Sequence, residues 1–86
     1  MQSPLKEFRQ RLGLTVGEMA AALGLIYSSY YNAERGLSGI PRKAIPALEE
    51  LGADPRDLAQ LQKEWISDRA AERRQAILAK VRGAAA

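Results

Sequence analysis

The 86-residue chain contains no cysteine and no histidine. Without thiols there is neither a disulfide frame nor a thiolate metal site, and a reducing cytoplasm is the natural compartment. Losing imidazole as well removes the commonest metal ligand and the usual general base, so the chain reads as a non-enzyme with no metal and no cofactor. Ser38 and Lys43 have no visible base or oxyanion partner, and Glu49 and Glu50 point about 100° apart on one helix, too far round to share a site. No apolar stretch approaches the roughly 20 residues that span a bilayer, and no basic start precedes an apolar run, so neither a membrane span nor a secretory leader is expected. Strand-period segments and repeats are also lacking.

What is present suits one small folded domain. Hydrophobic residues make up 47% of the chain and charged residues 27%, too apolar a balance for disorder. At this length folding buries only about 60% of the unfolded surface, so a single modest core is the limit. The net charge of +3 fits a nucleic-acid partner. Residues 1–55 hold six basic and six acidic side chains, whereas residues 56–86 hold seven and four. The whole surplus therefore lies in the C-terminal third.

Helix signals punctuate the chain. Ser3-Pro4 gives a cap with proline at the first helical position, and Leu5, Phe8 and Leu12 recur at helical spacing until Gly13. Thr15-Val16-Gly17-Glu18 reads as a capping box, followed by Val16, Met19, Ala20 and Leu23 at i, i+3, i+4 and i+7 before Gly24. A third stripe, Ile26, Tyr30 and Ala33, begins almost at once and stops at Gly36. Ile45, Leu48 and Leu51 make a fourth stripe, and Pro46 calls for a kink or a start near Ala44. Asp54-Pro55 opens a fifth helix carrying Leu58, Leu61 and Trp65. No glycine or proline interrupts residues 56–82, yet the apolar face shifts by roughly 140° towards Ile66, Ala70, Ile77 and Val81. Either the helix breaks near Ser67-Asp68, or one long helix faces two partners.

Residues 16–35 carry the functional signal. Two short helices across a three- or four-residue turn need a small residue where they nearly touch, a glycine able to take positive φ, and apolar residues fixing their angle. Ala20, Gly24 and the set Leu23, Leu25, Tyr30 and Ala33 meet those needs in order. Together with Leu12-Gly13-Leu14-Thr15, Glu18-Met19-Ala20, Leu23-Gly24-Leu25, Glu34-Arg35-Gly36, Leu51-Gly52-Ala53 and Leu58, the chain resembles the phage-repressor (Cro and cI-like, XRE-type) helix-turn-helix family over about residues 5–58.

The resemblance implies an all-α, five-helix, lambda-repressor-like domain whose third helix enters the major groove of double-stranded DNA. The outward face of that helix carries Ser28, Tyr31, Asn32 and Arg35, with Tyr27 beside them. Tyr27, Ser28, Ser29, Tyr31 and Asn32 are the candidate base readers, Asn32 matching adenine. Candidate phosphate contacts are Arg35, Arg42, Lys43, Arg11 and the first amides of the second helix at Val16 and Gly17. Arg9 and Glu34 match positions that pair across helices one and three in the family. The sequence departs from the pattern at Val16 or Gly17, where glutamine is frequent, and at Ile26, where a side-chain cap is usual.

Residues 1–66 are thus read as the DNA-binding domain and residues 67–86 as an additional helical tail. Three roles compete for the tail: pairing two copies through Ile66, Ile77, Leu78 and Val81; contact with the DNA backbone through Arg69, Arg73, Arg74, Lys80 and Arg82; or lying on a membrane surface. Pairing ranks first, because operators read by this motif are usually two-fold. The expectation is a cytoplasmic, nucleoid-associated transcriptional regulator acting as a homodimer. The alternative is an antitoxin or adaptor binding a protein partner through the tail.

Overall fold

The computed structural model describes residues 2–85, with side chains to Ala84, and every element among them is helical. The order is α1 (Pro4–Arg11), α2 (Val16–Ala22), α3 (Tyr27–Glu34), a 3-10 turn (Arg42–Ala44), α4 (Ile45–Glu50) and α5 (Pro55–Ala85). The all-α, five-helix expectation is borne out.

Each start follows from its local residues. Ser3 Oγ accepts from the Lys6 amide at 3.1 Å ahead of Pro4. The capping box at α2 is complete: Thr15 Oγ1 accepts from Glu18 N, and the Glu18 carboxylate accepts from Thr15 N. Asp54 Oδ1 accepts from the amides of Arg56 and Asp57 and opens α5. By contrast α3 starts at Ile26 with no side-chain cap, as the departure at that position implied. Before Pro46 the chain makes the 3-10 turn, and α4 begins at Ile45, so the proline falls in the first turn, where its missing N–H costs nothing.

The core is formed by Leu5, Met19, Ala20, Leu23, Leu25, Tyr30, Ala33, Ala44, Leu48 and Leu58. α2 and α3 pack on each other, and α5 lies across α1 and α4. Gln62, buried in the first half of α5, fastens this arrangement: its Oε1 accepts from Leu5 N at 3.1 Å and its Nε2 donates to Ala33 O at 2.8 Å. One amide side chain thus satisfies backbone groups of both α1 and α3. Three residues on, Trp65 lies over the loop after α3, where Gly36 has φ +81°. A Cβ on Gly36 would stand 2.7 Å from Trp65 Cζ3 and 3.2 Å from Ile66 Cγ1. Both the left-handed backbone and the ring's approach require glycine there.

α5 does not break near Ser67-Asp68. It runs unbroken for 31 residues, so the boundary expected between residues 66 and 67 falls within one helix. Ala70, Ala71, Ala76, Ala79 and Ala84 supply helix propensity where packing no longer does. From Ser67 onward the helix leaves the body and projects about 28 Å at 1.5 Å per residue. That projection gives the molecule its extents of 54 × 23 × 22 Å. Ile66 was expected to be an unpartnered tail residue, but it is half-buried against the Gly36 loop. Ile77 and Val81 remain 52% and 59% exposed.

Two substitutions test this frame by chemical denaturation. Gly36→Ala should cost about 2–4 kcal/mol, combining left-handed strain with overpacking against Trp65. Gly13→Ala, at φ +72° with nothing within 4 Å, should cost only the strain, about 1–2 kcal/mol. Equal losses would contradict the packing of Trp65 on Gly36. Gln62→Leu should cost about 1–3 kcal/mol, because it leaves the buried Leu5 N–H unpaired and Ala33 O with only its bond from Gly36 N.

Candidate nucleic-acid interface

The geometry of α3 divides its eight residues cleanly. Tyr30, Ala33 and Glu34 are buried, and they occupy a sector about 100° wide at 3.6 residues per turn. Opposite them Ser28, Tyr31, Asn32 and Arg35 are all exposed, and Tyr27 flanks them at the N-terminal end. Ser29, grouped with these readers in the sequence, is half-buried on the flank instead. Its neighbour one turn on, Ala33, belongs to the core, which turns Ser29 partly away from solvent.

The exposed rings are ordered. Tyr27 meets Tyr31 edge to face, with centroids 5.9 Å apart and planes at 78°. The Arg35 guanidinium lies 5.2 Å from the Tyr31 ring centroid. Tyr31 therefore has both an edge-to-face ring partner and a cation over its ring, two favourable contacts. The pairing limits rotamer freedom on the candidate reading surface without covering Tyr31, which stays 40% exposed.

The buried side of α3 is set by charge. Arg9 Nε and a second guanidinium nitrogen donate to the two Glu34 oxygens at 2.9 and 3.0 Å. A further Arg9 nitrogen donates to Leu14 O at 2.9 Å. Arg9 and Glu34 are thus joined as expected, in the one ion pair among the described residues. Burial by itself would raise the Glu34 pKa, but the hydrogen bonds and charge of Arg9, with the nearby Tyr30 hydroxyl dipole, outweigh it, and the carboxyl is held below its ordinary range. The Arg9 pKa is raised, chiefly by its bond to Glu34. Burial and then the adjacent carboxylate push the Tyr30 phenol far up, so it stays protonated. Its hydroxyl is enclosed beside the pair without a hydrogen bond of good geometry.

The candidate phosphate contacts fall into two groups. Arg35 and Val16 line a groove that also takes in Lys6, Tyr27, Tyr31, Trp65, Arg69 and Arg73. Arg42 and Lys43 are exposed on the 3-10 turn but do not line this groove. Arg11 lies elsewhere, in a depression shared with Glu7, Asp54 and Asp57. Gly17 is exposed at the start of α2. The Glu18 carboxylate is already bonded there, which offsets the positive end that a phosphate would seek. Lys6 was missed in the sequence because nothing in the pattern of α1 distinguishes it from a solvated charge. Arg69 and Arg73 were legible only as tail charges, although Trp65, Arg69 and Arg73 at i, i+4 and i+8 share one helix face.

No cluster of three or more metal-ligating side chains occurs among the described residues, and no helix there is long and apolar enough to cross a membrane. Comparison with protein-family models, with curated proteins and with solved structures finds no match to the chain.

The Arg9–Glu34 pair makes stability depend on acid pH. A carboxyl whose pKa is lowered by folding contributes stability above its unfolded value, near 4.3, and that contribution is lost as pH falls through the folded value. Wild-type unfolding free energy should therefore drop as pH falls below about 4. Glu34→Gln should lose roughly 3 kcal/mol at neutral pH, leaving Arg9 unpaired, and should show a shallower acid decline. Parallel pH profiles for the two proteins would contradict this assignment.

Proposed function

We propose that this protein is a sequence-specific binder of double-stranded DNA, a transcriptional regulator of the repressor kind, with α3 lying in the major groove. The observation that supports this reading most is the composition and freedom of the α3 face. Ser28, Tyr31, Asn32 and Arg35 are exposed hydrogen-bonding groups on the side away from the core, whereas a merely solvated face ordinarily carries Glu and Lys. The helix behind that face is held rigidly at its C-terminal end by Glu34 and by the Gln62 bond to Ala33. A reader must be positioned before it can discriminate bases.

In this reading Asn32 pairs with adenine, Ser28 and Tyr31 read its neighbours, and Arg35 serves a phosphate or guanine at the end of the helix. A second copy joins through Ile77, Leu78 and Val81 on the projecting part of α5, giving the two-fold arrangement that half-sites about 34 Å apart require. The same apolar residues, of which Ile77 and Val81 are exposed, also favour the second reading, in which a partner protein is held on the tail. Replacing Ile77, Leu78 and Val81 by Gln should turn a dimer into a monomer in sedimentation while leaving the helical content intact. An unchanged dimer would remove α5 from the interface.

Selection from random duplexes tests the main reading. The wild-type protein should enrich a motif with A·T pairs, and log affinity should fall with log salt at a slope of about −5 to −7 for a dimer holding six to eight phosphates. Asn32→Ala should relax preference at one position, costing about 1–3 kcal/mol on the selected site and little on random DNA. An Asn32→Ala protein with unaltered base preference, or a flat salt response, would overturn the reading.

A further inference from the structure

The groove between α3 and α5 brings together residues that lie far apart in the chain. From α3 come Tyr27, Tyr31 and Arg35, from α1 Lys6 and from α5 Trp65, Arg69 and Arg73. Its one carboxylate, Glu34, is bonded to Arg9 by both oxygens, so the charge the groove offers to a ligand is positive. Asp68 and Glu72 do not line it; they border a neighbouring depression that shares Trp65, Arg69 and Arg73 with the groove. Two of the cations rest on rings: Arg35 lies 5.2 Å from the Tyr31 centroid and Arg69 lies 4.9 Å from that of Trp65. Neither arginine is joined to a carboxylate among the described residues.

Helical register extends this face beyond the groove. Taking Trp65 as zero, Arg69, Arg73 and Lys80 fall at about 40°, 80° and 60° around the axis, a single basic row. The row starts where α5 leaves the body and rises about 16 Å from Arg69 to Lys80. The exposed Ile77 and Val81 and the half-buried Leu78 lie further round, at about 120° to 220°. The projecting helix therefore has a basic row continuous with the α3 surface and a more apolar side, which also carries Arg74 at about 180°. From Ser67 to Ala86 it carries five basic and two acidic residues, a balance suited to a polyanion.

We propose that this groove and the row continuing from it seat one strand of the DNA backbone beside the major groove occupied by α3, with Arg35, Arg69 and Arg73 as phosphate contacts and Lys80 further along. The proposal rests on the reading of α3 as a duplex reader and gives α5 a part in that same complex. Duplex DNA carries one phosphate per 3.4 Å of axis on each strand. A row rising about 16 Å spans several of them. Because the contacts are to phosphate, they add affinity and salt dependence without adding base preference. The tail is in this way a backbone clamp, and its apolar face is left available for a second copy.

The test is fluorescence anisotropy of the full chain with a selected duplex, a random-sequence duplex and a single strand, across a salt series. Arg69→Gln/Arg73→Gln should weaken binding to both duplexes by the same factor, about tenfold or more at low salt, and make the log–log salt slope shallower by about 2 per protomer. Base preference in the selection should not change. Arg56→Gln/Lys63→Gln removes the same charge from the other side of α5, within the part packed on the body, and should shift the slope much less. Equal effects from the two double variants would mean diffuse charge and overturn the clamp, as would a loss confined to the single strand. An unchanged slope in Arg69→Gln/Arg73→Gln, with wild type binding duplex normally, overturns the clamp and spares the reading of α3. Failure of the wild-type chain to bind any duplex overturns both.

Discussion

The buried contact between Arg9 and Glu34 is the constraint on which the rest of the structure depends. α3 is only eight residues long and begins without a side-chain cap, and an isolated helix of that length does not hold its shape in water. Its direction is fixed from its C-terminal end. Glu34 is tied to α1 through Arg9, the carbonyl of Ala33 is tied to α5 through Gln62, and Gly36 lets Trp65 close over the next turn. Three contacts from two other helices therefore converge on one short segment. A pair this sheltered contributes little net stability, since desolvation offsets its attraction, but the loss of either partner strands a charge. Its value lies in orientation: the side of α3 opposite these fastenings is the one left facing solvent.

α5 shows how one helix serves two ends. Its first three turns pack Leu58, Gln62 and Trp65 into the body, and the remainder has no body to pack on. There the sequence changes character. Alanine sustains the helix, basic residues collect along the line of Trp65, and the larger apolar residues move to another side. Under the proposed function these differences correspond to three separate surfaces: body, backbone and second copy. The shift of the apolar face near Ile66 is then a change of partner along a continuous rod.

Much of this was legible in the residues. Ser3-Pro4, the Thr15–Glu18 box and Asp54-Pro55 marked helix starts because capping chemistry is local, and the glycines marked the stops for the same reason. The pairing of Arg9 with Glu34 came only through the family resemblance, since residues 25 apart cannot be matched by periodicity. Gln62 escaped notice because a polar residue between Leu61 and Trp65 reads as a surface position. Its burial depends on backbone groups of two other helices, which no local pattern reveals. For the same reason the groove was invisible: Lys6, Arg35 and Arg69 become neighbours only after packing. Continuity of α5 stays open in the sequence because the shift of the apolar face and the absence of glycine or proline over residues 56–82 point in opposite directions.

Backbone amide NMR of the full chain, titrated with a short duplex, shows which helix meets the DNA. Shifts should concentrate on residues 27–35, on the start of α2 and on the residues of α5 from Trp65 to Lys80, with α4 and the start of α5 unmoved. Shifts that instead centred on α4 and the depression around Arg11, with α3 silent, would contradict α3 as the reader.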